Sequence, residues 1–288
     1  MPKYSKFAIP KFILLTGAST GIGRACVLHL DSLGFRVFAT VRSQADAQSL
    51  RAEASERLIP LLLDVTKPES IATACEQVAN EVGDAGLSGL VDNAGIARAG
   101  PIEFLPLNDY RLTLDVNFFG VIAVIQAFLP LLRAARGRIV NVSSVSGLVA
   151  APFMSPYGAS KHALEALSDA LRVELRPWGM QVSIVNPGNI RTPIWDKSLD
   201  AIDGSMQSWP DRVYRLYGPA MEAARRRVTS RHGIAPITVA RAVEHALTAR
   251  RPKNRYLVGW DARFVALFRL LPSRLRDWII ATQLPDYG

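Results

Sequence analysis

Short apolar runs alternate with longer segments of helical spacing along most of this chain, and that rhythm limits the fold more than any other feature. The runs are Phe12–Leu15, Arg36–Val41, Leu58–Leu63, Gly89–Val91, Arg138–Val142 and Met180–Val185. Each is a few residues long and rich in Val, Ile, Leu or Phe, as strands buried on both faces are. Between them, Ile22–Leu33, Ala45–Glu56, Pro68–Val82, Asp109–Arg136 and Pro156–Arg176 read as helices. Pro68 and Pro156 suit first-turn positions, which have no use for an N–H. Such alternation implies right-handed βαβ crossovers and a doubly wound α/β fold: a parallel sheet in a three-layer α/β/α sandwich.

After Pro187 the rhythm breaks. Residues 193–235 carry Trp195, Trp209, Pro210, Tyr214, Tyr217 and Pro219 with little strand signal, and read as an inserted substrate lid. A helix at Ile237–Ala249 and a strand at Arg255–Val258 resume the pattern. Asp261–Leu271 and Ser273–Gln283 form a C-terminal helical extension. With no internal repeat and no flexible linker, residues 1–288 read as one domain, with the lid around 193–235 and terminal helices around 261–283.

Composition excludes several classes. With 49% apolar and 20% charged residues, disorder and low-complexity assemblies are ruled out. Cys26 and Cys75 cannot build a disulfide framework, and no Cys/His spacing suggests a metal site. Residues 210–288 hold 15 basic and 6 acidic side chains, the whole of the net charge of +9. Nucleic-acid binding would need a recognisable module, which is missing. The run Phe12–Leu15 is too short for a signal sequence, and Phe264–Phe268 is stopped by Arg269, so no spanning segment is expected. The chain reads as soluble, cytoplasmic and from a reducing compartment. The terminal helices combine Phe264, Leu267, Phe268, Trp278 and Ile279 with Arg263, Arg269, Arg274 and Arg276. That face would meet an anionic membrane surface as a peripheral contact, or else cover the core or a partner subunit. A homo-oligomer is the expected assembly.

The first strand runs into Thr16-Gly17-Ala18-Ser19-Thr20-Gly21-Ile22-Gly23, which opens a helix. Glycines spaced by 4 and 2 let the backbone turn tightly and approach a pyrophosphate, which the helix N-terminus then favours. This makes the fold Rossmann-like. A carboxylate at the end of the second strand would accept from a ribose 2′-hydroxyl, but that position holds Val41, followed by Arg42. A guanidinium suits a 2′-phosphate, so NADP(H) is expected over NAD(H), which such a site still admits.

These residues together resemble the short-chain dehydrogenase/reductase family. Thr16–Gly23 is similar to its TGxxxGxG loop, which implies cofactor contacts at Gly17, Ser19, Thr20, Gly21, Ile22 and Gly23. Asp64-Val65 after the third strand would face the adenine. Asn93-Ala94-Gly95 follows the fourth strand, with Asp92 standing where the family usually has asparagine. Then come Asn117, Ser144, Tyr157-xxx-Lys161 and Pro187-Gly188-x-Ile190-x-Thr192. The resemblance covers about residues 10–192 in order. Thr40-Val41-Arg42 and Arg251–Gly259 look like the hydroxysteroid and retinol dehydrogenase branch, which implies a bulky apolar alcohol or ketone.

Tyr157 and Lys161, four apart on a helix, share one face. A nearby ammonium is expected to lower the phenol's pKa, so that Tyr157 exchanges protons with a carbonyl or alcohol. Ser144 lies 13 positions earlier, at a strand's carboxyl end. Its hydroxyl would donate to the substrate oxygen, with Ser143 and Ser146 as competitors. The resemblance implies that Lys161 also binds the nicotinamide ribose, that Asn117 holds a water leading to it, and that Ile190 backbone and the Thr192 hydroxyl hold the carboxamide. All four histidines read as structural, and Cys26 as a small buried residue. Ile96, Leu148, Val149, Pro152, Phe153, Met154, Ile194, Trp195, Met206 and Trp209 are candidate walls for a lipophilic substrate. Two rival functions stay open: a sugar-nucleotide epimerase or dehydratase, and a non-catalytic nucleotide-binding module.

Overall fold

The computed structural model describes residues 12–194, 209–229 and 233–285. Every expected strand is present: β1 (Phe12–Leu15), β2 (Arg36–Val41), β3 (Leu58–Leu62), β4 (Gly89–Asp92), β5 (Arg138–Val142), β6 (Gln181–Pro187) and β7 (Arg255–Val258). They form one parallel sheet in the order β3-β2-β1-β4-β5-β6-β7. Ile13 of β1 pairs with Val37 of β2 on one side and Gly89 of β4 on the other. The order therefore reverses at β1, and the carboxyl ends of β1 and β4 flank a crevice, the ligand position of open α/β sheets.

Alternate strand residues feed two cores. On one face Ile13, Leu15, Val91 and Val140 meet Val27 and Leu30 of α1 (Gly21–Ser32), Leu50 of α2 (Gln44–Glu53) and Val243 of α8 (Ile237–Thr248). On the other, Leu14, Leu90 and Ile139 meet Val78 of α3 (Pro68–Val82), Phe128 of α5 (Gly120–Ala135) and Leu164 of α6 (Ser155–Glu174). This is the expected three-layer sandwich. His29 of α1 and Glu244 of α8 join the first face at 2.7 Å.

The segment expected as one helix over Asp109–Arg136 has three parts: α4 (Leu107–Leu114), a π-turn at Asp115–Phe119 and α5. The wider turn carries Asn117, which is fully buried. By length and composition, Leu107–Ala135 could cross a membrane. That departs from the expectation of no spanning segment. Val124, Phe128 and Leu132 are fully buried against the sheet, so in this fold the run is a layer of the sandwich.

The lid region departs from expectation as well. Asp211–Thr229 is a 19-residue helix, α7, which Pro219 and the run of arginines hid from the periodicity. Val213 and Ala220 of α7 are fully buried, and Trp209 packs with Val213 and Leu105. Trp209 therefore belongs to a small core and does not line the cleft. Trp195 and Met206 lie outside the described residues. The extension forms α9 (Trp260–Phe268) and α10 (Ser273–Ala281).

One polar side chain is out of keeping with its surroundings. Asp92, at the end of β4, sits beside Asn141 of β5 and is 2% exposed. Among the described residues, neither its carboxylate oxygens nor Asn141 Oδ1 meets a hydrogen-bond partner. Burial pushes the Asp92 carboxyl well above the usual carboxylate range. Its folded-state pKa exceeds its unfolded value of about 3.9, so the fold is least penalised below that pH and loses stability as pH rises above it. Asp92→Asn is therefore predicted to raise Tm by about 2–4 °C at pH 7, with a gain that fades toward pH 4. Thermal unfolding across that pH range checks this, and a lower Tm at pH 7 would contradict it.

Candidate active site

Hydrogen bonds from β4 hold the loop after β1 in place. Asn93 N and Ala94 N donate to Thr16 Oγ1 at 2.9 and 3.1 Å, and Asn93 Nδ2 donates to Thr16 O and Gly17 O, both at 3.0 Å. From the other side, Gly17 N donates to Thr40 Oγ1 at 3.3 Å. Gly17 has φ +72°, and a Cβ there would stand 2.8 Å from Ala94 Cα. A Cβ on Gly23 would stand 2.0 Å from Gly17 O. Only glycine meets both demands, a left-handed turn and close backbone contact. Helix α1 then begins at Gly21 with no side-chain cap from Thr20 and no acidic residue in its first turn. Its leading N–H groups are left for an anion.

A cleft of about 220 Å³ opens at this point. Gly17, Ser19, Thr20, Gly21, Ile22 and Gly23 line one end, with Arg42, Asp64 and Val65 from the ends of β2 and β3. Asn93, Ala94 and Gly95 continue the lining to Tyr157 and Lys161, and Thr192 lies against Gly21. Arg42 is exposed at the rim. Burial acts to raise the Asp64 pKa, but bonds from Thr66 N and Oγ1, with Arg42 and Lys67 nearby, bring it below the usual value. The uncapped helix start, the glycine contacts and the cation at the rim fit a nicotinamide dinucleotide.

At the far end, α6 presents Tyr157 and Lys161 one turn apart, 6% and 5% exposed. Lys161 Nζ donates to Val142 O at 3.0 Å and lies 5.8 Å from the centre of the Tyr157 ring. Burial pushes the Lys161 amine down to about 8, with the Glu165 carboxylate opposing. The expected lowering of the Tyr157 pKa by Lys161 is not found in the free protein. Burial raises it, and a hydrogen bond with the Ser144 hydroxyl partly offsets the rise. The amine turns toward the Val142 carbonyl, and burial of the phenol dominates.

Ser143 also lines the cleft; Ser144, Asn117, Pro187 and Ile190 are buried, and Gly188 is half-buried. Ser144 Oγ accepts from Ser146 N at 3.1 Å, and Asn186 Nδ2 holds Ser144 O at 3.0 Å. Asn117 Oδ1 accepts from Ile96 N, while its Nδ2 donates to Ile96 O and Ser160 Oγ, at 2.9–3.0 Å. It thereby fixes the turn after Gly95, whose Cβ position is 3.8 Å from Lys161 Nζ. Pro187 ends β6, and Ile190 is buried where it bridges to Ile234.

Of the proposed substrate walls, Ile96 and Ile194 line the cleft, whereas Leu148 and Met154 are buried. Sequence reasoning missed Arg98, which lines the cleft and lies 3.1 Å from Asp109. No motif marks it, because its placement depends on the path of the loop after Gly95. His29, His162 and His245 have structural partners in Glu244, Gly158 O and Tyr256. Cys26 is fully buried, and burial pushes its thiol to about 12.

A doubly wound sheet with this cleft at its reversal point is the architecture of a dinucleotide-binding protein. Residues 11–203 match the family model described as short chain dehydrogenase. Bovine (Bos taurus) 17-beta-hydroxysteroid dehydrogenase type 6 is 41% identical over 283 residues, covering 96% of this chain and 89% of the bovine protein. Human (Homo sapiens) retinol dehydrogenase 5 is 41% identical over 285 residues, with 95% and 89% covered. Among solved structures, a short-chain dehydrogenase from Burkholderia cenocepacia in complex with NADP is 26% identical, with TM-score 0.74, covering 97% of this chain and all of that one. One from Streptomyces avermitilis is 29% identical, with TM-score 0.77, covering 95% and 98%. The chain belongs to the short-chain dehydrogenase family, in its hydroxysteroid and retinol dehydrogenase branch. It is an NAD(P)-dependent oxidoreductase acting on CH–OH groups.

Proposed function

We propose that this enzyme interconverts an alcohol and its ketone or aldehyde on a lipophilic, steroid-, retinoid- or lipid-like substrate, and that it prefers NADP(H). One observation carries the reading: a single cleft has a glycine-loop anion site at one end and a buried Tyr157/Lys161 pair at the other. The names of the relatives, steroid and retinol dehydrogenases, support the substrate class. They also weigh against the sugar-nucleotide and non-catalytic readings. Arg42 at the rim, with no acidic side chain at the end of β2, supports NADP(H).

A bound nicotinamide dinucleotide supplies a hydride in one direction and takes it in the other. Its pyrophosphate would be held by the leading amides of α1, its adenine side by Asp64 and Val65, and its 2′-phosphate by Arg42. Asn93, Ala94 and Gly95 would line its middle. The backbone of Pro187, Gly188 and Ile190 and the Thr192 hydroxyl would hold its carboxamide.

The raised pKa keeps Tyr157 protonated at neutral pH, ready to donate to a carbonyl oxygen. The hydrogen bond with Ser144 and the field of the Lys161 ammonium stabilise the phenolate left behind. In the opposite direction, that phenolate takes the alcohol proton. Asn117 positions the Ile96 turn beside Lys161, where it would hold the water that relays protons. The sheet, lid region and terminal helices act as one catalytic domain in this proposal.

The extension adds a location. Trp260, Phe264, Leu267, Leu270 and Trp278 are 60–78% exposed, and Arg263, Arg269 and Arg274 are exposed among them. The alternative that these side chains cover the core does not agree with their exposure. We take this face to rest on an anionic membrane surface, where lipophilic substrates dissolve. Homo-oligomerisation remains part of the proposal.

Tyr157→Phe is predicted to lower kcat by about 10²–10⁴-fold while changing NADPH affinity less than about threefold. Steady-state turnover alongside fluorescence titration checks this, and retained turnover would overturn the role. Arg42→Asp should lower kcat/KM for NADPH by at least about tenfold and leave or raise that for NADH. Equal use of the two cofactors by the unmodified enzyme would contradict the cofactor assignment. Co-sedimentation with phosphatidylserine vesicles should fall sharply in Phe264→Ser/Trp278→Ser, and no binding by the unmodified enzyme would remove the membrane contact.

A further inference from the structure

The carboxyl end of β6 is held from outside the cleft by the C-terminal extension. Gly188 N donates to Val258 O of β7 at 2.9 Å. Just beyond β7 the chain turns through Gly259, at φ +110°, into the first turn of α9. Asp261 in that turn reaches back over β6. Its Oδ2 accepts from Asn189 N at 2.5 Å, and its Oδ1 from Ala262 N at 2.9 Å.

The fit is close enough to fix the residue types around it. A Cβ on Gly188 would stand 2.2 Å from both Asp261 oxygens, and all three of its nearest atoms would belong to that carboxylate. A Cβ on Gly259 would stand 2.3 Å from Asp261 Oδ1. An acid in a helix's first turn is ordinarily a cap for its own helix. Here only one oxygen serves α9. The other is spent on Asn189, 72 positions earlier in the chain.

The segment that follows leads to the cleft. Ile234 N donates to Asn189 O at 3.0 Å and Arg191 N to Ile234 O at 3.1 Å, while Thr192 lies against Gly21. We infer that Asp261 is a positioning residue for the cofactor: by latching Gly188-Asn189 to α9, it sets the backbone that meets the nicotinamide carboxamide. The inference rests on the dinucleotide reading above and adds a residue from a part of the chain remote from every motif. A charged acceptor on a backbone N–H is among the stronger hydrogen bonds, so its loss should loosen this segment more than the glycine loop.

The test compares NADPH with 2′-phospho-ADP-ribose, which lacks the nicotinamide, by calorimetric titration of the full-length enzyme. Asp261→Ala is expected to weaken NADPH about tenfold and 2′-phospho-ADP-ribose less than about twofold. Equal weakening of both, or of neither, overturns the latch. Gly188→Ala should weaken NADPH by displacing the carboxylate. Gly188→Ala/Asp261→Ala should bind NADPH no worse than Gly188→Ala, because the clash is gone. A double variant showing the product of both losses would also overturn the latch. Should Asp261→Ala not fold, the isosteric Asp261→Asn is read by the same comparison between the two ligands. Unmodified enzyme that binds neither this pair nor NADH and ADP-ribose removes the dinucleotide reading itself; one that binds only the latter pair is read by the same comparison with that pair. Unmodified enzyme that binds both, with Asp261→Ala indifferent, removes only the latch.

Discussion

The hydrogen bonds between Thr16 and Asn93 join the two strands at which the sheet changes direction. Successive crossovers leave opposite faces there, and nothing in the layer packing closes the gap between the ends of β1 and β4. The paired side chain and backbone bonds set its width. They also bring Gly17 against Ala94, a contact that a methyl group would disrupt. The glycine loop, the start of α1 and the Asn93–Gly95 turn are thus one assembly. The position of the cleft is a consequence of sheet order.

Two polar side chains beside this assembly, Asn117 and Lys161, are buried and paired. Asn117 satisfies both backbone groups of Ile96, and Lys161 reaches the Val142 carbonyl. Lost partners would leave these groups desolvated at a cost of about 1–3 kcal/mol each, so the site is held in a defined geometry. The same burial moves the proton affinities of Tyr157 and Lys161 in opposite senses, the phenol upward and the amine downward. Both shifts disfavour the charged form, but an amine at about 8 is still mostly protonated at neutral pH, so a neutral phenol stands beside an ammonium in the free protein.

The central strands were legible because they are buried on both faces and are therefore mostly apolar. β1, β2, β5 and β7 match their expected bounds. The glycine loop, Tyr157 and Lys161 were legible because local geometry ties the residue type to its position. Helix α7 was not, since Pro219 and a mostly polar surface obscure its apolar stripe. Arg98 and Asp261 were illegible for another reason. Their partners are set by tertiary packing, and a lone Arg in a loop or Asp in a first turn has a dozen bland explanations. The Tyr157 pKa direction was misjudged because spacing reveals the nearby amine but says nothing of how fully the phenol is desolvated.

The central claim is that the crevice between β1 and β4 is one continuous dinucleotide site. A crystal structure of the enzyme grown with NADP⁺ tests it most directly. Pyrophosphate density is expected against the Gly21–Gly23 amides, with a nicotinamide ring between Thr192 and the Tyr157 hydroxyl. Density in another part of the molecule, or a ring turned away from Tyr157, would contradict it.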